Sequence, residues 1–123
     1  MFSWLRKYFE RTSPLSQWNV RLHEGDIVTD DGQGTQRTLP ISDLQRIIVA
    51  TDDSGPWGAD VVFLLCSDAV DPVGLFPLEA KGCDSFVRWL STQAGYRDRE
   101  LAKATGSTRV ARFTVFEAPP DDR

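Results

Sequence analysis

The run Val61-Val62-Phe63-Leu64-Leu65-Cys66 constrains the fold more than any other stretch of the chain. Six consecutive apolar residues, rich in β-branched and aromatic side chains, have the length of a strand rather than a helix. A strand with one wet face alternates apolar and polar residues. One without alternation sits inside its sheet and is covered on both faces. Residues 61–66 therefore need strands on either side and a layer above and below. A chain of 123 residues is one domain's worth and buries about two-thirds of its unfolded surface. All of these neighbours must come from a single domain.

The flanking sequence supplies them. Trp18-Asn19-Val20-Arg21-Leu22 alternates as a half-buried strand does, and Glu24-Gly25 turns the chain into a second strand at Asp26–Thr29. Asp30-Asp31-Gly32-Gln33-Gly34 is a hairpin signal, because Asp-Gly accepts the positive φ of tight turns. A third strand runs from Thr35 to Leu39 and stops at Pro40; Ile41–Leu44 reads as a helical turn or bend. Gln45–Thr51 is a fourth strand, and Gly74–Leu78 a short sixth one that Pro77 places at an edge or an end. Phe86, Val87, Trp89, Leu90 and Ala94 share one face of a helix over 84–94, with Asp84 or Ser85 as cap and Gly95 as stop. Asp98–Ala104 is a second helix closed by Gly106. Arg109–Glu117 is a last strand, with Ala111, Phe113 and Val115 on one side and Val110, Arg112, Thr114 and Phe116 on the other. Connections this short favour antiparallel neighbours. The expected fold is α+β: a largely antiparallel sheet or partly open barrel, an N-terminal amphipathic helix, and a C-terminal helix pair followed by a final strand.

The N-terminal residues read as a short helix over 1–12, ended by Thr12-Ser13-Pro14. Phe2, Leu5 and Phe9 share a face with Trp4 and Tyr8 beside them, while Arg6, Lys7, Glu10 and Arg11 lie opposite. Two uses fit this pattern. The apolar side packs on the open face of the sheet, or Phe2, Trp4, Leu5 and Phe9 meet a membrane or a partner. The expected organisation is a helix at 1–12 packed on the domain, one domain over 17–117, and a frayed tail at 118–123.

The stretch Thr35-Gln36-Arg37-Thr38-Leu39-Pro40-Ile41-Ser42-Asp43-Leu44-Gln45-Arg46-Ile47, a strand running through a polar bend into another strand, resembles the pleckstrin-homology-like fold. The late amphipathic helix agrees with that likeness, and the strand after it, at 109–117, departs from it. Asp53-Ser54-Gly55-Pro56-Trp57, Asp60-Val61-Val62-Phe63-Leu64-Leu65, Gly95-Tyr96 and Gly106-Ser107-Thr108 are together similar to a set of small bacterial proteins that carry no assigned activity. For pleckstrin-homology-like domains the resemblance implies binding rather than catalysis.

The residues themselves offer little chemistry. His23 is the one histidine and sits beside Glu24 in a turn, with no nucleophile motif aimed at it. Cys66 and Cys83 lie among apolar residues, belong to no Cys-x-x-Cys pair, and read as reduced structural thiols. The carboxylates of Asp30-Asp31 and Asp52-Asp53 lack the ligand spacing of a calcium loop, and no glycine-rich segment leads through a lysine into a helix. The expectation is no cofactor, no metal and no catalysis. A net charge of −4, with no basic cluster to make a phosphate-binding face, argues against nucleic acid. Arg6 and Lys7 interrupt the N-terminal apolar residues and break the pattern of a signal peptide, so the expected location is the cytoplasm.

A protein partner remains. Trp57, between Pro56 and Gly58 on the loop after Thr51, is either a lid on the core or an exposed anchor, and tryptophan is favoured at interface hot spots. With Asp52 and Asp53 it forms the candidate contact. Residues 1–22 carry a net +3 and the remainder −7, so the larger part would steer a basic partner. The reading is a non-catalytic protein-binding module, monomeric or weakly dimeric. The alternatives are a membrane-surface protein held by its N-terminus and an immunity-type inhibitor of a basic toxin.

Overall fold

The computed structural model describes residues 17–51, 61–69, 71–107 and 110–119. Among them the chain forms β1 (Asn19–His23), β2 (Asp26–Asp30), β3 (Gln36–Pro40), a 3-10 turn (Ile41–Asp43), β4 (Arg46–Thr51), β5 (Val61–Cys66), β6 (Gly74–Pro77), helix α1 (Cys83–Leu90), helix α2 (Asp98–Thr105) and β7 (Ala111–Glu117). The expected N-terminal helix lies outside the described residues. The hairpin between β2 and β3 turns where Asp-Gly predicts it: Gly32 has φ +77, and the Asp31 carboxylate accepts from the amides of Gln33 and Thr35.

The strands build two antiparallel sheets rather than one continuous meander. One has the order β1-β2-β3, the other β6-β5-β4-β7. The break falls between β3 and β4. There the 3-10 turn carries Leu44 into the core, Ile41 donates to the Gly25 carbonyl, and Gln45 pairs with Cys66 instead of continuing beside β3. The last strand, which departs from the resemblance drawn above, becomes the second neighbour of β4. Neither sheet closes into a barrel.

β5 occupies the interior position that its unbroken apolar run demands, with β4 and β6 on its two sides. Register sorts the larger sheet into two faces. Ile47, Val49 and Thr51 of β4 share the inner face with Leu65, Phe63 and Val61 of β5. Gly74 and Phe76 of β6 join them there. Ile48, Ala50, Val62, Leu64, Leu75 and Pro77 form the outer face. On the inner face Phe63 stacks on Phe76 at 4.9 Å, and Phe76 meets Phe86 of α1 edge-on at 5.3 Å. Each buried phenyl ring contributes about 2–3 kcal/mol, and each ring pair about 1 kcal/mol more. This stack fixes α1 against the sheet.

Three local departures from expectation have local causes. α1 stops at Leu90, short of Gly95, because the Ser91 and Thr92 hydroxyls donate back to the carbonyls of Arg88 and Trp89 and tighten the last turn. Its cap is Gly82 and not Asp84 or Ser85, since no side chain bonds the first turn. In β7 a bulge at Val115 shifts the register, so Phe116 pairs with Ile47 on the inner face, and Val115 and Phe116 are both buried.

Thr29 of β2 is 2% exposed, yet among the described residues its hydroxyl has no hydrogen-bond partner. An unsatisfied buried hydroxyl costs free energy that a methyl group does not. Thr29→Val is expected to stabilise the chain by about 1 kcal/mol, read as a rise in the urea midpoint at unchanged slope.

Candidate functional site

Among the described residues, the first strand of the smaller sheet has a partly open edge. β2 pairs with β1 on one side. On the other side Lys81 donates to the Trp18 carbonyl and accepts from the Val20 amide, making one short parallel bridge. Main-chain groups alternate in direction along a strand. Because the Val20 amide points away from β2, the amide and carbonyl of Leu22 point away from it too. No described residue meets them there.

Gly82 explains how α1 comes so close to this edge. Its φ is +86, and a Cβ at that position would lie 2.2 Å from the Val20 carbonyl oxygen. Only glycine fits both the backbone conformation and the space. The start of α1 thus runs alongside β1, and between them lies a groove of about 340 Å³ lined by Val20, Arg21, Leu22, Gly82, Ser85 and Phe86. Val20 and Phe86 form a buried apolar floor. Leu22, one strand step further, is 37% exposed. The Arg21 guanidinium is turned to Asn19 and Gln36 on the opposite face of the strand. Burial, and after it the charges of Asp84 and Glu79, push the adjacent Cys83 thiol up from 9.0 to about 11.

A second cleft, of about 390 Å³, lies where β4 begins and β7 ends and is lined by Gln45, Arg46, Arg97, Glu117, Ala118 and Pro119. Its two guanidinium groups are already engaged. Arg97 reaches Glu117 Oε1 at 2.6 Å and Arg46 reaches Oε2 at 3.4 Å. All three side chains are nearly half exposed, so each pair contributes about 0.5 kcal/mol. The arrangement clamps the chain after α1 to the end of β7, and Ala118 extends the pairing by donating to the Gln45 carbonyl. Residues 120–123 of the expected tail lie outside the described residues.

The remaining sequence candidates separate. His23 ends β1 with its side chain mostly exposed, 3.6 Å from Glu24. Cys66 and Cys83 are free thiols. Burial pushes Cys66 up against the opposing pull of Arg46 and Arg112. Asp52, Asp53 and Trp57 lie outside the described residues, as do Phe2, Trp4, Leu5 and Phe9. Thr51, the last described residue before that loop, is fully buried, its hydroxyl beside Ser107 and the Ala111 carbonyl. Among the described residues no group of three or more His, Cys, Asp and Glu side chains could hold a metal ion. None of their helices is long and apolar enough to cross a membrane. Sequence reading missed the β1–α1 groove. Its alternation shows which face Leu22 is on, but not that the neighbouring strand position is open.

The raised Cys83 pKa has a consequence for stability. The folded state holds its thiol proton to about 11, while an unfolded chain releases it near 9.0. The contribution is therefore complete below about pH 9 and is lost as pH rises through about 11. Relative to Cys83→Ala, the wild-type chain is expected to lose on the order of 2 kcal/mol between about pH 8 and about pH 11, measured by urea unfolding. Equal pH slopes for the two proteins would contradict this.

No protein-family model, curated protein or solved structure matches the chain.

Proposed function

We propose that this chain is a non-catalytic binding module of pleckstrin-homology-like character, which captures an extended segment of a protein partner by adding it as a strand to β1 beside α1. The observation that carries the reading is the edge at Leu22, open among the described residues and set next to a groove with an apolar floor. Strand addition needs an unpaired amide and carbonyl for affinity, and pockets for alternate side chains for selectivity. β1 supplies the first at Leu22. Val20, Leu22 and Phe86 supply the second. The two antiparallel sheets and the late amphipathic helix support the pleckstrin-homology-like assignment.

The partner segment is extended, apolar at alternate positions and basic at its flanks. Asp84, in the first turn of α1 beside the groove, and the net negative charge of the chain favour such a segment and speed its encounter. Hydrogen bonds to one strand edge and a shallow groove correspond to a Kd in roughly the micromolar range.

Leu22→Pro tests this reading directly. The substitution removes an amide that points away from β2, a position where an edge strand tolerates proline. Peptides selected from a random display library on the immobilised chain are expected to shift the amide resonances of residues 20–23 and 82–86. Leu22→Pro is expected to weaken them at least about tenfold while the melting midpoint stays nearly unchanged. Selected peptides that bind Leu22→Pro as tightly as wild type, or whose shifts map to residues 52–58, would contradict the assignment.

A further inference from the structure

The cleft where β4 begins and β7 ends is assembled by main-chain pairing on both sides of Glu117. On one side lies β4. The bulge at Val115 advances the register by one residue, so Glu117 stands opposite Arg46; without the bulge Phe116 would take that place. Bulges re-aim side chains and are over-represented beside functional sites. On the other side the chain after α1 runs along the end of β7. Arg97 donates to the Val115 carbonyl, Tyr96 bridges Phe116, and Glu117 donates to the Gly95 carbonyl. Gly95 has φ +97, and a Cβ there would collide with the Glu117 carbonyl, so this approach needs glycine. The Gln45 main chain is fixed as well, donating to Cys66 and accepting from Ala118. Backbone pairing thus sets where both arginines begin.

Their guanidinium groups converge as a grip on one oxyanion. Arg97 and Arg46 each hold a different oxygen of the same carboxylate. A guanidinium presents five donors in a rigid fork, and Glu117 uses one from each. Two arginines and one glutamate among the lining residues leave a formal charge of +1, inside a chain whose net charge is −4. A cleft of about 390 Å³ suits a small ligand, and Ala118 and Pro119 add an apolar wall beside the charged end.

We propose that this cleft binds a small carboxylate, its head group bridging Arg46 and Arg97 beside Glu117 and its short apolar body lying on Ala118 and Pro119. Glu117 is then a charge filter. With it in place, a monoanion brings the cleft to neutrality, whereas a dianion leaves an excess negative charge next to a carboxylate. Removing its charge inverts that balance in favour of the dianion. The assignment is independent of what β1 binds.

Titration of the full chain at constant ionic strength tests this, read at the Arg side-chain Nε resonances, with sodium butyrate as the monoanion and sulfate as the dianion. Butyrate is expected to give saturable shifts at Arg46, Arg97 and the Ala118 amide, with half-saturation in roughly the millimolar range, and none at residues 20–23 or 82–86. Sulfate is expected to bind at least about tenfold more weakly, and Glu117→Gln to reverse that order. Arg97→Gln and, separately, Arg46→Gln are expected to weaken butyrate at least about tenfold with the amide spectrum intact, since each ion pair adds little to stability. Arg88→Gln, on the exposed side of α1, is expected to leave it unchanged. N-acetylvaline, which imitates a peptide terminus, separates the two sources of a carboxylate: tighter binding than butyrate assigns the site to a peptide end, weaker binding to a free acid. The proposal is overturned if shifts are linear and alike for both anions, if binding survives both arginine substitutions, or if Glu117→Gln leaves the order of the anions unchanged.

Discussion

Phe63 lies flat on Phe76 across the β5–β6 pair, and Phe76 meets Phe86 edge-on, so three rings join the centre of the larger sheet to α1. All three are at most 1% exposed. The position of α1 depends on this stack, and the shape of the candidate site depends on α1. Phe86 links Phe76 to Trp89, whose ring lies 5.5 Å from its own, and is also part of the groove floor.

Two short main-chain contacts then set the width of the groove. Lys81 bridges Trp18 and Val20, which holds the first half of β1 against the segment entering α1. Gly82 lets the helix start in contact with the Val20 carbonyl. Beyond that point β1 continues without a hydrogen-bonded partner on that side among the described residues. Among the described residues, the bridge occupies one step of β1 and leaves the next, at Leu22, open. Exposed strand edges invite pairing, and natural proteins blunt them or use them. Here the open stretch is a single step, flanked by Arg21, His23 and Glu24, which limits self-association while leaving room for a short segment.

Strands and their order were largely legible in the residues, because their signals are local. Alternation in 18–22, the Asp-Gly turn at 31–32, the β-branched stretch at 45–51 and the unbroken run at 61–66 each carry their own pattern, and the structure places a strand at each of the three strand signals and a hairpin turn at Asp31-Gly32. The division into two sheets was not legible. It depends on Leu44 entering the core and on β4 pairing with β7 across more than sixty residues, neither of which has a local sequence signature. Phe116 was assigned to the wrong face because period-two counting carries straight through a bulge, and a bulge at Val115 adds one residue to the count. The groove escaped for a related reason. Alternation reports which face a side chain is on, whereas an edge is defined by what does not lie beside it. The binding loop expected at Asp52, Asp53 and Trp57 falls outside the described residues, and the functional reading rests instead on Val20, Leu22 and Phe86.

Native-state hydrogen exchange across the described strands measures the central claim most directly. If β5 is the twice-covered hub and β1 carries an open edge, the β5 amides exchange only through global unfolding, with an opening free energy equal to the stability from urea. The Val20 amide, held by Lys81, is protected, while the Leu22 amide two residues on exchanges nearly as fast as an unstructured peptide. β5 amides that open well below the global value, or a Leu22 amide as protected as that of Val20, would contradict the account.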